Sequence, residues 1–162
     1  MNELELARYQ DPLRIQRVLH RAHTIAVVGL SANPLRASNF VGFYLKRHGY
    51  RTIPVNPREG EILGELSYPS LADVPEPVDI VNVFRAPDAV PDIAREAVAI
   101  DAGALWCQFG VISEEGSGIA EAAGLDVVVD RCLKIEHARY VGRMHWLGFN
   151  TQRVTAVRGE LE

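Results

Sequence analysis

The sequence predicts an α/β protein: a doubly wound, parallel five-stranded sheet with helices on both faces. Three observations carry this. Short β-branched apolar runs recur along the chain, as strands buried on both faces read. Amphipathic stretches of helical period separate them. Each run also ends in a loop of small or polar residues, giving the order strand, loop, helix.

Asp11 and Pro12 open a first helix as cap and first helical residue, and Leu13, Ile15, Val18 and Leu19 supply its apolar side up to Ala22. Residues 24–28 are strand one, 29–34 a turn-rich break and 35–48 a helix with Phe40, Val41, Tyr44 and Leu45 on one side, stopped by Gly49. Strand two covers 50–55 and exits through 56–60. Residues 61–77 read as irregular, with one helical turn at 70–73. Strand three covers 78–84, and a helix over 87–101 follows, with Val90, Ile93, Ala94, Ala97 and Val98 on one face. Strand four covers 104–109, and the helix over 113–124 is weakened by Gly116 and Gly118. Strand five covers 125–129, and a short helix lies near 135–140. The core of this single domain spans about 13–140, and the extension 141–162 carries Trp146 and Phe149, which suit cover for a neighbouring subunit in a homo-oligomer.

A length of 162 residues, 48% of them apolar and 23% charged, suits one folded domain. The net charge of −4 and the lack of a Lys/Arg run argue against a nucleic-acid partner. No apolar stretch is long enough for a membrane span, and the acidic N-terminus does not resemble a signal peptide. Cys107 and Cys132 lack CxxC spacing, so free thiols in a cytoplasmic protein are expected.

Ligands of such sheets bind beyond the carboxyl ends of the strands, where strand order reverses. The exit loops 29–38, 56–60, 85–87 and 108–113 therefore hold the candidate site. The first reads Gly29-x-Ser31-x-x-Pro34, which is neither the dinucleotide fingerprint nor a P-loop. Ser31, Asn33, Arg36, Ser38 and Asn39 can still donate hydrogen bonds, and the fork of Arg36 suits phosphate. Asn56-Pro57-Arg58 stands where a nicotinamide-dinucleotide site places an acid for the ribose hydroxyls, and it suits a phosphorylated ribose or an adenine edge instead. Phe84 can cover an adenine ring, Arg85 can reach phosphate, and Gly110 lets backbone approach a ligand. Each has a plainer alternative: a solvated Arg36, a turn at Asn56-Pro57, a core Phe84 beside an exposed Arg85, and a tight turn at Gly110. Arg131 and Lys134 beside Cys132 can favour a thiolate. Asp130 suits either a base or a cap. No metal set, Ser-His-Asp group or carboxylate pair can be assembled, so no catalytic residue is assigned.

Five blocks in order carry a resemblance: Ile25-Ala-Val-Val-Gly-Leu-Ser-Ala-Asn-Pro34, Val55-Asn-Pro57, Asp79-Ile-Val-Asn-Val-Phe-Arg85, Trp106-Cys-Gln-Phe-Gly-Val111 and Val129-Asp-Arg-Cys-Leu-Lys-Ile-Glu-His137. Together they resemble the CoA-binding domain family, whose stand-alone members are similar to the N-terminal domain of the succinyl-CoA synthetase alpha subunit. The resemblance implies a Rossmann-like fold that binds coenzyme A or acyl-CoA at the strand ends. It places Gly29, Ser31, Asn33, Arg36 and Ser38 on the pyrophosphate, and Asn56, Pro57 and Arg58 near the adenosine. It also sets Phe84 and Arg85 at the same cleft, and Gly110 and Val111 along the pantetheine. The chain has no room for the synthetase's phosphohistidine domain, so ligase activity is not implied. The alternatives are an NAD(P)-dependent oxidoreductase, and a thiol function in which Cys132 forms a mixed disulfide with CoA.

Overall fold

The computed structural model describes residues 1–142. Helices α1 (Glu3–Arg8) and α2 (Pro12–Arg21) precede strand β1 (Thr24–Val28), helix α3 (Ala37–Arg47) and strand β2 (Arg51–Val55). A hairpin of β3 (Glu61–Ile62) and β4 (Glu65–Leu66) comes next, then β5 (Ile80–Val83), α4 (Val90–Ala99), β6 (Ala104–Cys107), α5 (Glu114–Ala122), β7 (Asp126–Val128) and α6 (Leu133–Tyr140).

The main sheet has five parallel strands in the order β2-β1-β5-β6-β7. β1 is the hinge of this order, because the chain crosses to one side of it for β2 and to the other for β5. That reversal opens a crevice above the ends of β1 and β5. One sheet face packs Ala26, Val28, Val81, Val83 and Leu105 against apolar residues of α4 and α5, with Tyr9 beside them. The other packs Ile25, Val27, Ile80, Ala104 and Trp106 against α2, α3 and α6. Two-faced burial is why the strands read as unbroken apolar runs.

The structure departs from the sequence reading at definable places. α1 was not foreseen; it is a short helix with an Asn2–Glu5 capping box, and Tyr9 and Arg8 tie its end to Glu121 of α5. The β3–β4 hairpin occupies part of the segment read as irregular, turning through Leu63 and Gly64, both at positive φ. Phe40, expected on the buried side of α3, is 55% exposed, and Leu13 is likewise exposed. The sheet-facing side of α3 is instead Ser38, Val41, Gly42 and Leu45. A Cβ on Gly42 would sit 2.8 Å from Leu30 Cδ1, so this helix lies against the loop after β1. Trp146 and Phe149 lie outside the described residues.

α6 is joined to the sheet by polar contacts. Trp106 Nε1 donates to the Arg131 carbonyl at 2.8 Å, and the Leu133 N–H donates to Gln108 Oε1 at 3.3 Å. Gln108 Nε2 in turn donates to Asn82 Oδ1 at 3.3 Å. Buried polar groups need such partners. His137 of α6 is 5% exposed, its Nδ1 lies 2.9 Å from the Tyr44 hydroxyl, and its ring meets Tyr44, His48 and Tyr50 edge-on. Burial, with His48 and His20 nearby, lowers its pKa to about 4.

Two outcomes follow from this packing. A Cβ at Gly116 would lie 2.5 Å from Val90 Cγ1 and 3.0 Å from the Val90 backbone carbon. Gly116→Ala should therefore force α4 and α5 apart and cost about 1–3 kcal/mol in urea unfolding. His137 is held neutral in the fold but protonates near pH 6.5 when unfolded, so its stabilisation is complete above that pH and is lost as pH falls toward about 4. The loss should be on the order of 3 kcal/mol. Glu136, whose carboxyl is pushed up by burial, titrates with the opposite sign. The difference between the pH–stability curves of the parent and His137→Gln isolates the histidine contribution.

Candidate functional site

A cleft of about 540 Å³ lies in the crevice above β1 and β5. Gly29, Ser31, Arg36, Ser38, Asn56, Arg58, Phe84 and Arg85 line it, together with Ala37 and Ala86. Most of the residues chosen from sequence thus converge on one place, although they come from three separate loops.

The loop after β1 is built to stay open. Gly29 has φ +87°, and a Cβ there would lie 3.1 Å from Arg85 Cδ. Its N–H donates to the Val55 carbonyl at 2.9 Å, and the Phe84 N–H donates to the Val28 carbonyl at 2.9 Å, so the exits of β2, β1 and β5 are laced side by side. Beyond Gly29, the Ser31 N–H donates to Ser38 Oγ at 3.0 Å, and Asn39 Nδ2 donates to the Ser31 carbonyl at 2.9 Å. These bonds fold the loop back on the first turn of α3. Arg36 is the N-cap of α3 and makes no side-chain capping bond. The N–H groups of Ala37 and Ser38 have no hydrogen-bond acceptor among the described residues. Free amides at the positive end of a helix suit an anion.

Asn56 acts as a strut. Its Nδ2 donates to the Leu30 carbonyl and its Oδ1 accepts from the Arg58 N–H, both at 2.9 Å. The amide is thereby engaged within the protein while it directs Arg58 toward the cleft. Arg36, Arg58 and Arg85 line the cleft, and among the described residues no carboxylate does. The hydroxyl oxygens of Ser31 and Ser38 already accept backbone N–H groups.

Four sequence choices fall elsewhere. Asn33 shapes the loop: its Oδ1 accepts the Leu35 N–H at 3.0 Å, and it does not line the cleft. Pro57 lines an adjoining cleft of about 220 Å³ that shares Gly29 and Arg85 with the first. The Gly110 N–H donates to Asp130 Oδ1 at 2.8 Å, and Val111 is buried in the core, so neither borders the main cleft. This bond also gives Asp130, at φ +56°, a turn-closing part, and Cys132 rather than Asp130 is the N-cap of α6. Burial pushes the Cys132 thiol up despite the backbone N–H groups and Lys134 beside it, and takes Cys107 up to about 12, so neither is a thiolate at neutral pH. Asp92 and Glu96, on the wall of the adjoining cleft, were not singled out from sequence; their i,i+4 spacing on the helix after strand three was the available signal.

Residues 23–138 match the model of the CoA binding domain. The chain belongs to the CoA-binding domain family. The uncharacterised protein YneT of Bacillus subtilis is 41% identical over 131 residues, covering 80% of this chain and 97% of that protein. The ADP-forming acetate–CoA ligase II of Archaeoglobus fulgidus is 30% identical over 120 residues; the match takes in 72% of this chain but only 18% of the ligase. Among solved structures, a hypothetical protein of Pyrococcus horikoshii has a TM-score of 0.79 at 37% identity, covering 82% of this chain and 93% of its own. A Thermus thermophilus protein has a TM-score of 0.76 at 42% identity, with 80% and 98% covered. These neighbours share the Rossmann-like α/β architecture of this family member.

Gly29→Ala tests the loop. The positive φ and the contact with Arg85 should lower stability by about 1 kcal/mol or more in urea unfolding, with m unchanged.

Proposed function

We propose that this protein binds coenzyme A or acyl-CoA in the cleft above β1 and β5 and performs no catalysis of its own. The observation that carries the reading is a cleft that bears Arg36, Arg58 and Arg85 and, among the described residues, no carboxylate, set against the open amides of Ala37 and Ser38. The diphosphate of CoA sits on those amides and Arg36, and its ribose phosphate is met by Arg58 and Arg85. NAD lacks that extra phosphate and gains by an acid at the ribose that this cleft does not offer, whereas NADP carries a ribose phosphate of its own and is separated from CoA by the titration below. The family membership and the likeness to one part of an acetate–CoA ligase support the same ligand. The absence of a free nucleophile or base among the lining side chains favours holding a ligand over transforming it.

Both cysteines are free thiols, and no helix among the described residues is long and apolar enough to cross a membrane. A small-molecule partner in the cytoplasm is the setting we propose.

Titration calorimetry with CoA, dephospho-CoA, NAD and NADP in one buffer tests the reading. CoA should bind tightest, and dephospho-CoA should bind more weakly. Arg36→Ala should cost about 1.5–3 kcal/mol of CoA affinity, the worth of a charge-assisted bond. Heat from NAD with none from CoA would overturn the proposal.

A further inference from the structure

The adjoining cleft of about 220 Å³ differs in character from the cationic one. Its walls are Val55 and Pro57 from the end of β2 facing Ala89 and Ile93 at the start of α4. Glu96 stands on its rim. One carboxylate oxygen of Glu96, Oε2, accepts the Leu71 N–H at 3.3 Å, which fixes the side chain. The other, Oε1, has no hydrogen-bond partner among the described residues. The neighbouring Asp92 is engaged by Arg95 at 2.7 Å. A largely apolar slot bearing a carboxylate fixed in place suits a flat ring whose edge carries an N–H donor. A ring that presents a carbonyl at that edge would meet the carboxylate as a repulsive partner.

The two clefts share Gly29 and Arg85, so a molecule with a polyanionic part and a flat heterocycle can occupy both. We propose that the second cleft is the base pocket and that Glu96 selects adenine by accepting a hydrogen bond from its exocyclic amino group. The inference rests on the CoA reading above and adds a specificity-determining residue to it. Glu96 discriminates because hypoxanthine or guanine turns an oxygen toward Oε1 where adenine turns an N–H. A site built to pair with a donor disfavours the analogue lacking it, since the fixed, half-buried carboxylate then faces an oxygen instead of an N–H.

The test compares CoA with deamino-CoA, in which hypoxanthine replaces adenine, by titration calorimetry on the full chain. The parent should prefer CoA by roughly tenfold or more. Glu96→Gln keeps an acceptor for the Leu71 N–H, so its melting temperature should stay close to the parent's. With that oxygen engaged, its NH2 faces the base and pairs with the hypoxanthine carbonyl but not with the adenine amino group, so the preference for CoA should be lost or reversed. Equal affinity of the parent for the two ligands, or an undiminished preference in a folded Glu96→Gln variant, would overturn the assignment of Glu96 while leaving CoA binding standing. Failure of the parent to bind CoA at all would instead remove the CoA reading, and the base pocket with it.

Discussion

The backbone turn at Gly29 is the constraint around which the site is arranged. β1 lies between β2 and β5, so three strand ends emerge close together and their loops compete for the same space. At φ +87° the chain leaves β1 without a side chain, and the aliphatic stem of Arg85 packs 3.1 Å from where a Cβ would be. The same residue keeps its N–H on Val55, so the loop stays anchored to the sheet. Opening a cleft here is therefore a matter of backbone geometry first and of side-chain chemistry second.

The side chains divide into those that hold the loops and those that face the ligand space. Ser31, Ser38, Asn39 and Asn56 direct their polar atoms into the protein, and Asn33 closes a local turn. What is left toward the cleft is positive: Arg36, Arg58, Arg85 and the first amides of α3. A chain of net charge −4 thus concentrates cations at one mouth. Local convergence, and not overall charge, decides which ligands a surface attracts.

The segment Val129–His137, prominent in the sequence, is used mainly for assembly. Asp130 closes the Gly110 turn, the Arg131 carbonyl caps the Trp106 indole, and His137 packs among aromatic rings. Glu136 is 1% exposed, and neither of its carboxylate oxygens has a hydrogen-bond partner among the described residues; Arg131 and Arg139 stand 3.8 and 3.7 Å away. Burial outweighs both cations and pushes its carboxyl up. Charged neighbours in a sequence do not fix a protonation state when the fold withdraws the group from water. The same holds for Cys132, whose flanking Arg131 and Lys134 suggested a thiolate.

The five-stranded sheet and its helices were legible in the sequence because strands buried on both faces must be apolar throughout, and because Asp, Pro and Gly mark the helix ends. The glycine after β1 and the arginines of three exit loops were legible for a related reason: strand–loop–helix order fixes which loops lie at the carboxyl edge. The hairpin at Glu61–Leu66 and the exposure of Phe40 were not, since two-residue strands have no period to detect and a helix face is set by what packs on it. Only the tertiary structure separated Gly110 and Val111 from the cleft and brought Glu96 to the wall of its neighbour, because strand order and helix placement set distances between loops that linear spacing does not contain.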